Sequence, residues 1–201
     1  MPIDITSSEW YVDTQTVNQQ LNGGQWKLLT GLPLSVANAE VTVRNTGTTG
    51  YVVADAFKFV PAGAKTGAII VDDAETAKVA VTGTWTSSSA TSGYYGTSYY
   101  HDGNAAKGTK SFKFMPVVPT AKDYFVYARW TSDSGRASNV PIDIVTSAGT
   151  KTVTANQRMG GGQWNLLGVF PFAAGTASVT LRTDGTNGYV IADSVMLVPV
   201  P

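Results

Sequence analysis

The chain has 201 residues, 14 Lys+Arg against 14 Asp+Glu for a formal net charge of zero, and no cysteine. Disulfides, thiolate chemistry and cysteine-ligated zinc are thereby excluded, and without clustered basic residues neither nucleic acid nor an anionic membrane is an expected partner. Hydrophobic residues at 43% suffice for a core, while only 14% are charged, so surface polarity falls to Thr, Ser, Asn and Gly, as in exported proteins, and an extracellular address is expected. No stretch approaches the roughly 18 apolar residues of a transmembrane helix. The opening MPIDITSSEW has neither the basic region nor the apolar core of a signal peptide.

In chain order, the first segment, 1–61, reappears at 141–201. Pro2-Ile3-Asp4-Ile5 returns as Pro141-Ile142-Asp143-Ile144, and Asn18-Gln19 as Asn156-Gln157. Gly23-Gly24-Gln25-Trp26 returns as Gly161-Gly162-Gln163-Trp164, and Gly50-Tyr51-Val52-Val53-Ala54-Asp55 as Gly188-Tyr189-Val190-Ile191-Ala192-Asp193. Such internal similarity marks a repeated structural unit. A one-residue length difference falls in the turn between Ile5 and Asn18, where insertions are tolerated. Residues 62–66 are small and read as a linker. The segment 67–140 has no second copy. The expected organisation is therefore a half-module at 1–61, a linker at 62–66 and a complete module at 67–201.

Period-two alternation dominates the unique half and the second copy. In Tyr124-Phe125-Val126-Tyr127-Ala128-Arg129-Trp130 one face carries Tyr124, Val126, Ala128 and Trp130. Lys151–Thr154, Val179–Arg182 and Val41–Arg44 are further short strands, and glycine-rich turns separate the runs. Only Asp73–Val79 reads as a helical turn. Short strands at this spacing predict an all-β, antiparallel β-sandwich of jelly-roll type.

Three further groups of residues narrow this. They are Gly93-Tyr94-Tyr95-Gly96-Thr97-Ser98-Tyr99 with His101-Asp102-Gly103-Asn104; Tyr127-Ala128-Arg129-Trp130 with Arg136-Ala137-Ser138-Asn139-Val140-Pro141; and Gly162-Gln163-Trp164 with Gly188-Tyr189-Val190-Ile191-Ala192-Asp193. Residues 69–200, in this order, resemble the golvesin C-terminal domain, also described as the xanthan-lyase carbohydrate-binding-like domain. Residues 1–61 resemble only its second half. The resemblance implies a β-sandwich appended to secreted bacterial enzymes and surface proteins, with a polysaccharide as partner.

The candidate sugar-binding residues are Tyr94, Tyr95, Tyr99, Tyr100 and His101, whose rings offer stacking faces, with Asp102 and Asn104 for the hydroxyls. The competing reading is a packed loop whose tyrosine hydroxyls bond to backbone. Adjacent residues of a strand face opposite ways, so the four tyrosines do not share one site. Trp26 and Trp164, after matching Gly-Gly-Gln turns, read as core residues, as do Trp85 and Trp130; Trp10 reads as exposed. Asp55 and Asp193 precede the last strand of each copy in apolar surroundings. Sugar-binding jelly rolls of this kind imply a structural calcium there, with Asp72, Asp73 or Glu75 as partners of Asp193. The alternative is an aspartate accepting backbone or tyrosine hydrogen bonds. No other cofactor is expected. His101 is the only histidine, and no nucleophile elbow, metalloprotease motif or phosphate loop is present, so an enzyme is not expected.

Two functions remain open on sequence. One is a non-catalytic module that attaches to a polysaccharide. The other takes the surplus half-module as a self-association surface, which makes the chain a subunit of an extracellular filament assembled by strand or half-module exchange. Residues 67–140 could be completed by either copy.

Overall fold

The computed structural model describes residues 1–8, 11–21, 23–24, 27, 29–30, 39–57, 59 and 67–200. The chain divides into two compact units, 1–64 and 65–201.

In the first unit, β1 (Pro2–Ser8), β2 (Tyr11–Thr16) and β3 (Glu40–Val43) form one antiparallel sheet in the order β2-β1-β3. Asp4 pairs with Thr14 on one side and Thr42 on the other. The hairpin ladder is irregular between Thr6 and Ser8, which is where the extra residue of this copy is absorbed, as a β-bulge absorbs an insertion without shifting the register beyond it. Trp10, Trp26 and the linker 62–66 lie outside the described residues.

The second unit begins with β4 (Ile69–Asp72), a single 3-10 turn at Thr76–Lys78 where a helical turn is predicted, β5 (Val79–Thr82) and β6 (Thr86–Ser88). There follow β7 (Tyr99–His101), β8 (Ser111–Phe114), β9 (Val117–Val118) and β10 (Lys122–Arg129). The second copy then supplies β11 (Val140–Thr146), β12 (Gly149–Ala155), β13 (Asn165–Phe172), β14 (Gly175–Thr176), β15 (Ser178–Arg182), β16 (Ile191–Ala192) and β17 (Ser194–Pro199). A four-stranded sheet, β13-β10-β17-β4, and a five-stranded sheet, β12-β11-β15-β8-β5, contribute side chains to one core, with short sheets β16-β7-β6 and β14-β9 beside them. The named strands pair antiparallel throughout. This is an antiparallel β-sandwich.

Alternation places the core. Tyr124, Val126, Ala128 and Trp130 enter the main cluster with Phe112, Ile142, Ile144, Val179 and Leu197. Phe125 and Tyr127, one residue out of phase, form a smaller cluster with Met196 on the opposite face of the four-stranded sheet. Residues 67–140 are completed by 141–200: β10 pairs with β13 and β17, and β8 with β15.

The two copies agree in side-chain detail. Arg44 Nε lies 2.6 Å from Asp4 Oδ2 and Arg182 Nε 2.7 Å from Asp143 Oδ2. Thr14 and Thr152 donate to the same aspartates, each at 2.7 Å. The Gln157 amide clamps residue 191, donating to Ile191 O and accepting from Ile191 N, both at 2.8 Å, and Gln19 makes the same two bonds to Val53. Gln157 and Ile191 are fully buried, whereas Gln19 and Val53 are exposed. Gln157→Ala is therefore expected to destabilise the second unit by about 1–3 kcal/mol, because it orphans a buried donor and acceptor. Gln19→Ala, where water replaces the amide, is expected to change stability by less than about 0.5 kcal/mol. Denaturant unfolding of both variants checks the difference.

Candidate functional site

Two features stand out at one end of the sandwich: an acidic cluster at the end of the β4/β17 ladder, and aromatic side chains carried by the adjoining loops.

The ladder between β4 and β17 ends at the pair Asp72–Ser194, so the residues that follow on one strand and precede on the other, Asp73 and Asp193, are brought side by side. The Asp73 N–H donates to Asp193 O at 2.8 Å. The carboxylates of Asp72, Asp73 and Asp193 each place an oxygen within 4.8 Å of the others. Asp73 is only 2% exposed, and neither of its carboxylate oxygens meets a donor in hydrogen-bonding geometry. Burial, then the neighbouring Asp72 and Asp193 carboxylates, push Asp73 up to about 8. Burial pushes Asp193 up to about 7, against the Tyr95 amide and the Arg129 charge, which favour its ionised form. Glu75 is not part of the cluster: its Oε1 accepts from the Asp72 N–H and its Oε2 pairs with Lys78 at 2.7 Å.

The loop bearing the tyrosines closes over this cluster. The Tyr95 N–H donates to both oxygens of Asp193, at 3.0 and 3.2 Å. Gly96 lies against Asp72, with a φ of 67°. A Cβ there would stand 2.5 Å from Asp72 Oδ2. The two buried Asp73 oxygens, which find no donor and lie beside the Asp72 and Asp193 carboxylates, fit a hard divalent cation such as calcium, which takes oxygen ligands and offsets their mutual repulsion.

The candidate sugar-binding residues separate. Tyr94 and Tyr95 lie in irregular loop, not in a strand, yet still diverge: Tyr94 packs on the main core beside Tyr99, and Tyr95 stacks on Trp164 at 5.5 Å. Tyr99 is buried. Burial raises its phenol, but hydrogen bonds from Ser88, Thr91 and Arg136, with the Arg136 charge, outweigh this and bring it to about 8. Tyr100 packs on Phe112. Asp102 is buried as well: it pairs with Lys107 at 2.6 Å and accepts from the N–H groups of Asn104 and Val190. Tyr99 and Asp102 are thus tied into the fold, by Arg136 and Val190 respectively, 37 and 88 positions on. Asn104 is exposed, on a turn with φ 54°. His101 is half-buried. Its Nδ1 accepts from the Gly103 N–H, and burial, then the Arg136 charge, holds it below the ordinary imidazole value.

Exposed aromatic rings also lie outside the tyrosine loop. Tyr189 meets His101 edge-on at 5.6 Å, with the Arg136 guanidinium 6.0 Å from its ring centre, and is 36% exposed. Its copy Tyr51 is also exposed. The matching Gly-Tyr after a turn in both copies was the available signal. Trp164, expected in the core, is half-buried in the outer-face cluster instead, with Arg129 6.0 Å from its ring. The correction has a simple cause: Trp164 stands just before β13, where alternation alone does not say which face of a sheet a residue meets. Trp85 and Trp130 do lie in the main core. Asp55, the copy of Asp193, is exposed.

The Golvesin C-terminal domain family model matches residues 69–199. The chain belongs to that family. Xanthan lyase of Bacillus sp. (strain GL1) is 43% identical over 136 residues, which are 66% of this chain and 15% of the lyase. A solved Paenibacillus xanthan lyase aligns with 100% of this chain and 20% of its own at 37% identity and a TM-score of 0.67. A family 35 carbohydrate binding module from Clostridium thermocellum aligns over 67% of this chain and all of its own at 14% identity and a TM-score of 0.52, a likeness of fold alone. The golvesin-type chain thus spans a small part of the lyases it resembles. Among its described residues no helix is long and apolar enough to cross a membrane.

Gly96→Ala is expected to destabilise the golvesin-type unit by about 1–3 kcal/mol, from strain at positive φ and from the clash with Asp72. Thermal unfolding beside Gly185→Ala, at positive φ with open space around its Cα, separates the clash from the strain.

Proposed function

We propose that the chain is a non-catalytic, extracellular carbohydrate-binding module that holds an attached enzyme or cell surface against a polysaccharide. The observation that carries this reading is Tyr189, an aromatic ring left partly open to solvent and held from behind by His101 and Arg136. A sugar ring lays its C–H face on such a ring, and the clamped side chain loses little conformational entropy on binding. Asn104, exposed on the turn that follows His101, supplies a polar group for hydroxyls. The lyases to which the chain is similar are named for xanthan, which makes an acidic polysaccharide of that type the first ligand to test.

In the same reading the cluster of Asp72, Asp73 and Asp193 holds a structural calcium. Its role is mechanical: it joins the end of β4, the 94–96 loop and the β16–β17 junction, and so fixes the loops at that end of the sandwich.

Retention of the chain in gels containing xanthan, compared with neutral polysaccharides, tests the first proposal. Tyr189→Ala is expected to lose most of the retention with an unchanged unfolding midpoint, whereas Tyr100→Phe keeps it. Equal retention of parent and Tyr189→Ala would refute a role for this ring. For calcium, a chelator is expected to lower the thermal midpoint by several degrees and added Ca²⁺ to restore it, by preferential binding to the folded state. Asp73→Asn should abolish that response. A midpoint indifferent to chelator and to Ca²⁺ rules the ion out.

A further inference from the structure

The described residues of the first unit form only strands that a second half-module builds from its own residues. In the complete module β12, β11 and β15 are neighbours in one sheet, and their copies β2, β1 and β3 form the same sheet in the same order. The strand β17 is different. Its two neighbours are β10 and β4, and both belong to residues 67–140. Among the described residues of the first unit nothing stands in their place, and those of the β17 copy, 56–57 and 59, form no strand. The copy of β15 is open as well: β15 pairs with β8, whereas among the described residues β3 pairs with β1 alone.

The side chains follow the backbone. Val53 is 60% exposed where its copy Ile191 is 0%, Phe57 is 41% exposed where Val195 is 0%, and Phe59 is 59% exposed where Leu197 is 0%. Their copies are core residues of the complete module. Apolar side chains left in water are unfavourable against burial, and an open strand edge is a template for pairing.

We infer that the face of the first unit formed by Val53, Phe57, Phe59 and the open edge of β3 is a docking surface for a further first half-module, a segment of the sequence type of residues 67–140. The identity of the occupant follows from the chain itself. The second copy shows the same residues covered, position by position, by 67–140, and the shared detail at Asp4/Asp143 and Gln19/Gln157 shows that the two surfaces match in register. Residues 67–140 of this chain are already engaged with 141–200, so the occupant is an additional half-module. It would add a strand on each side of residues 56–59 and another beside β3, a form of strand addition in which backbone pairing supplies affinity and the apolar side chains supply register.

The experiment extends the 201-residue chain at its N-terminus with a second copy of residues 67–140 and follows hydrogen exchange by residue. Amides 51–57, open in the parent, are expected to become as protected as 189–195, and Phe57→Asp in the extended chain is expected to abolish this protection while leaving 189–195 unchanged. Amides 189–195 report that the complete module is folded in every variant. The inference fails if 51–57 stay unprotected in the extended chain, or if their protection survives Phe57→Asp. It also fails if light scattering shows the parent to be a dimer with 51–57 already protected, since two first units would then cover each other.

Discussion

The structure depends on one strand whose two ladders are both supplied from far away in sequence. β17 lies between β10 and β4, with Leu197 and Val195 entering the core and Met196 facing the other way. Both neighbours come from the unique half of the chain, so the second copy can form β11, β12 and β15 on its own but places β17 only when residues 67–140 are present. The core depends on the same pairing, because Val71, Val126 and Leu197 share one cluster. Contacts of such long sequence separation carry a loop-closure cost that is recovered only when the sandwich is complete.

The same ladder creates the acidic cluster. When β4 and β17 pair to Asp72–Ser194 and then diverge, Asp73 and Asp193 are left adjacent, buried and repelling one another. Burying charge of one sign without compensation is costly, and proteins retain such arrangements where an ion or a function offsets the cost. The Tyr95 amide binds Asp193 from the loop above, and Tyr95 in turn stacks on Trp164. The cluster is thereby connected to the outer face of the four-stranded sheet. On the other side the buried Arg136 contacts Tyr99 and Tyr189, and so links the core to the exposed ring.

Much of this is legible in sequence, for reasons that can be stated. Strand alternation in 124–130 assigns the core-facing residues correctly because hydrophobic side chains on a sheet face are a local pattern. The repeat carries still more: it places Asp193 beside the last strand, and the shared Asn-Gln and Gly-Tyr steps mark the amide clamps on residues 53 and 191 and the exposed rings at 51 and 189. Of the acidic residues that the likeness to sugar-binding jelly rolls brings forward, the fold gathers Asp72, Asp73 and Asp193 and engages Glu75 elsewhere. What was not legible is set by partners distant along the chain. Tyr99 and Asp102 look like loop residues until Arg136 and Val190, 37 and 88 positions on, are seen to bond to them. Trp164 looks like core because both faces of its sheet carry apolar residues.

The central claim is that residues 67–140 and 141–200 fold as one cooperative body, while the repeat at 1–64 lacks the strands that would complete it. Hydrogen exchange of the 201-residue chain across a range of urea concentrations tests this most directly. Amides of β10, β15 and β17 should open together with a common free energy and denaturant dependence, and those of residues 51–52 and 54–57 should exchange near the rate of free peptide. Opening of β4 and β10 well before β15 and β17, or equal protection at 51–57 and 189–195, would contradict the account.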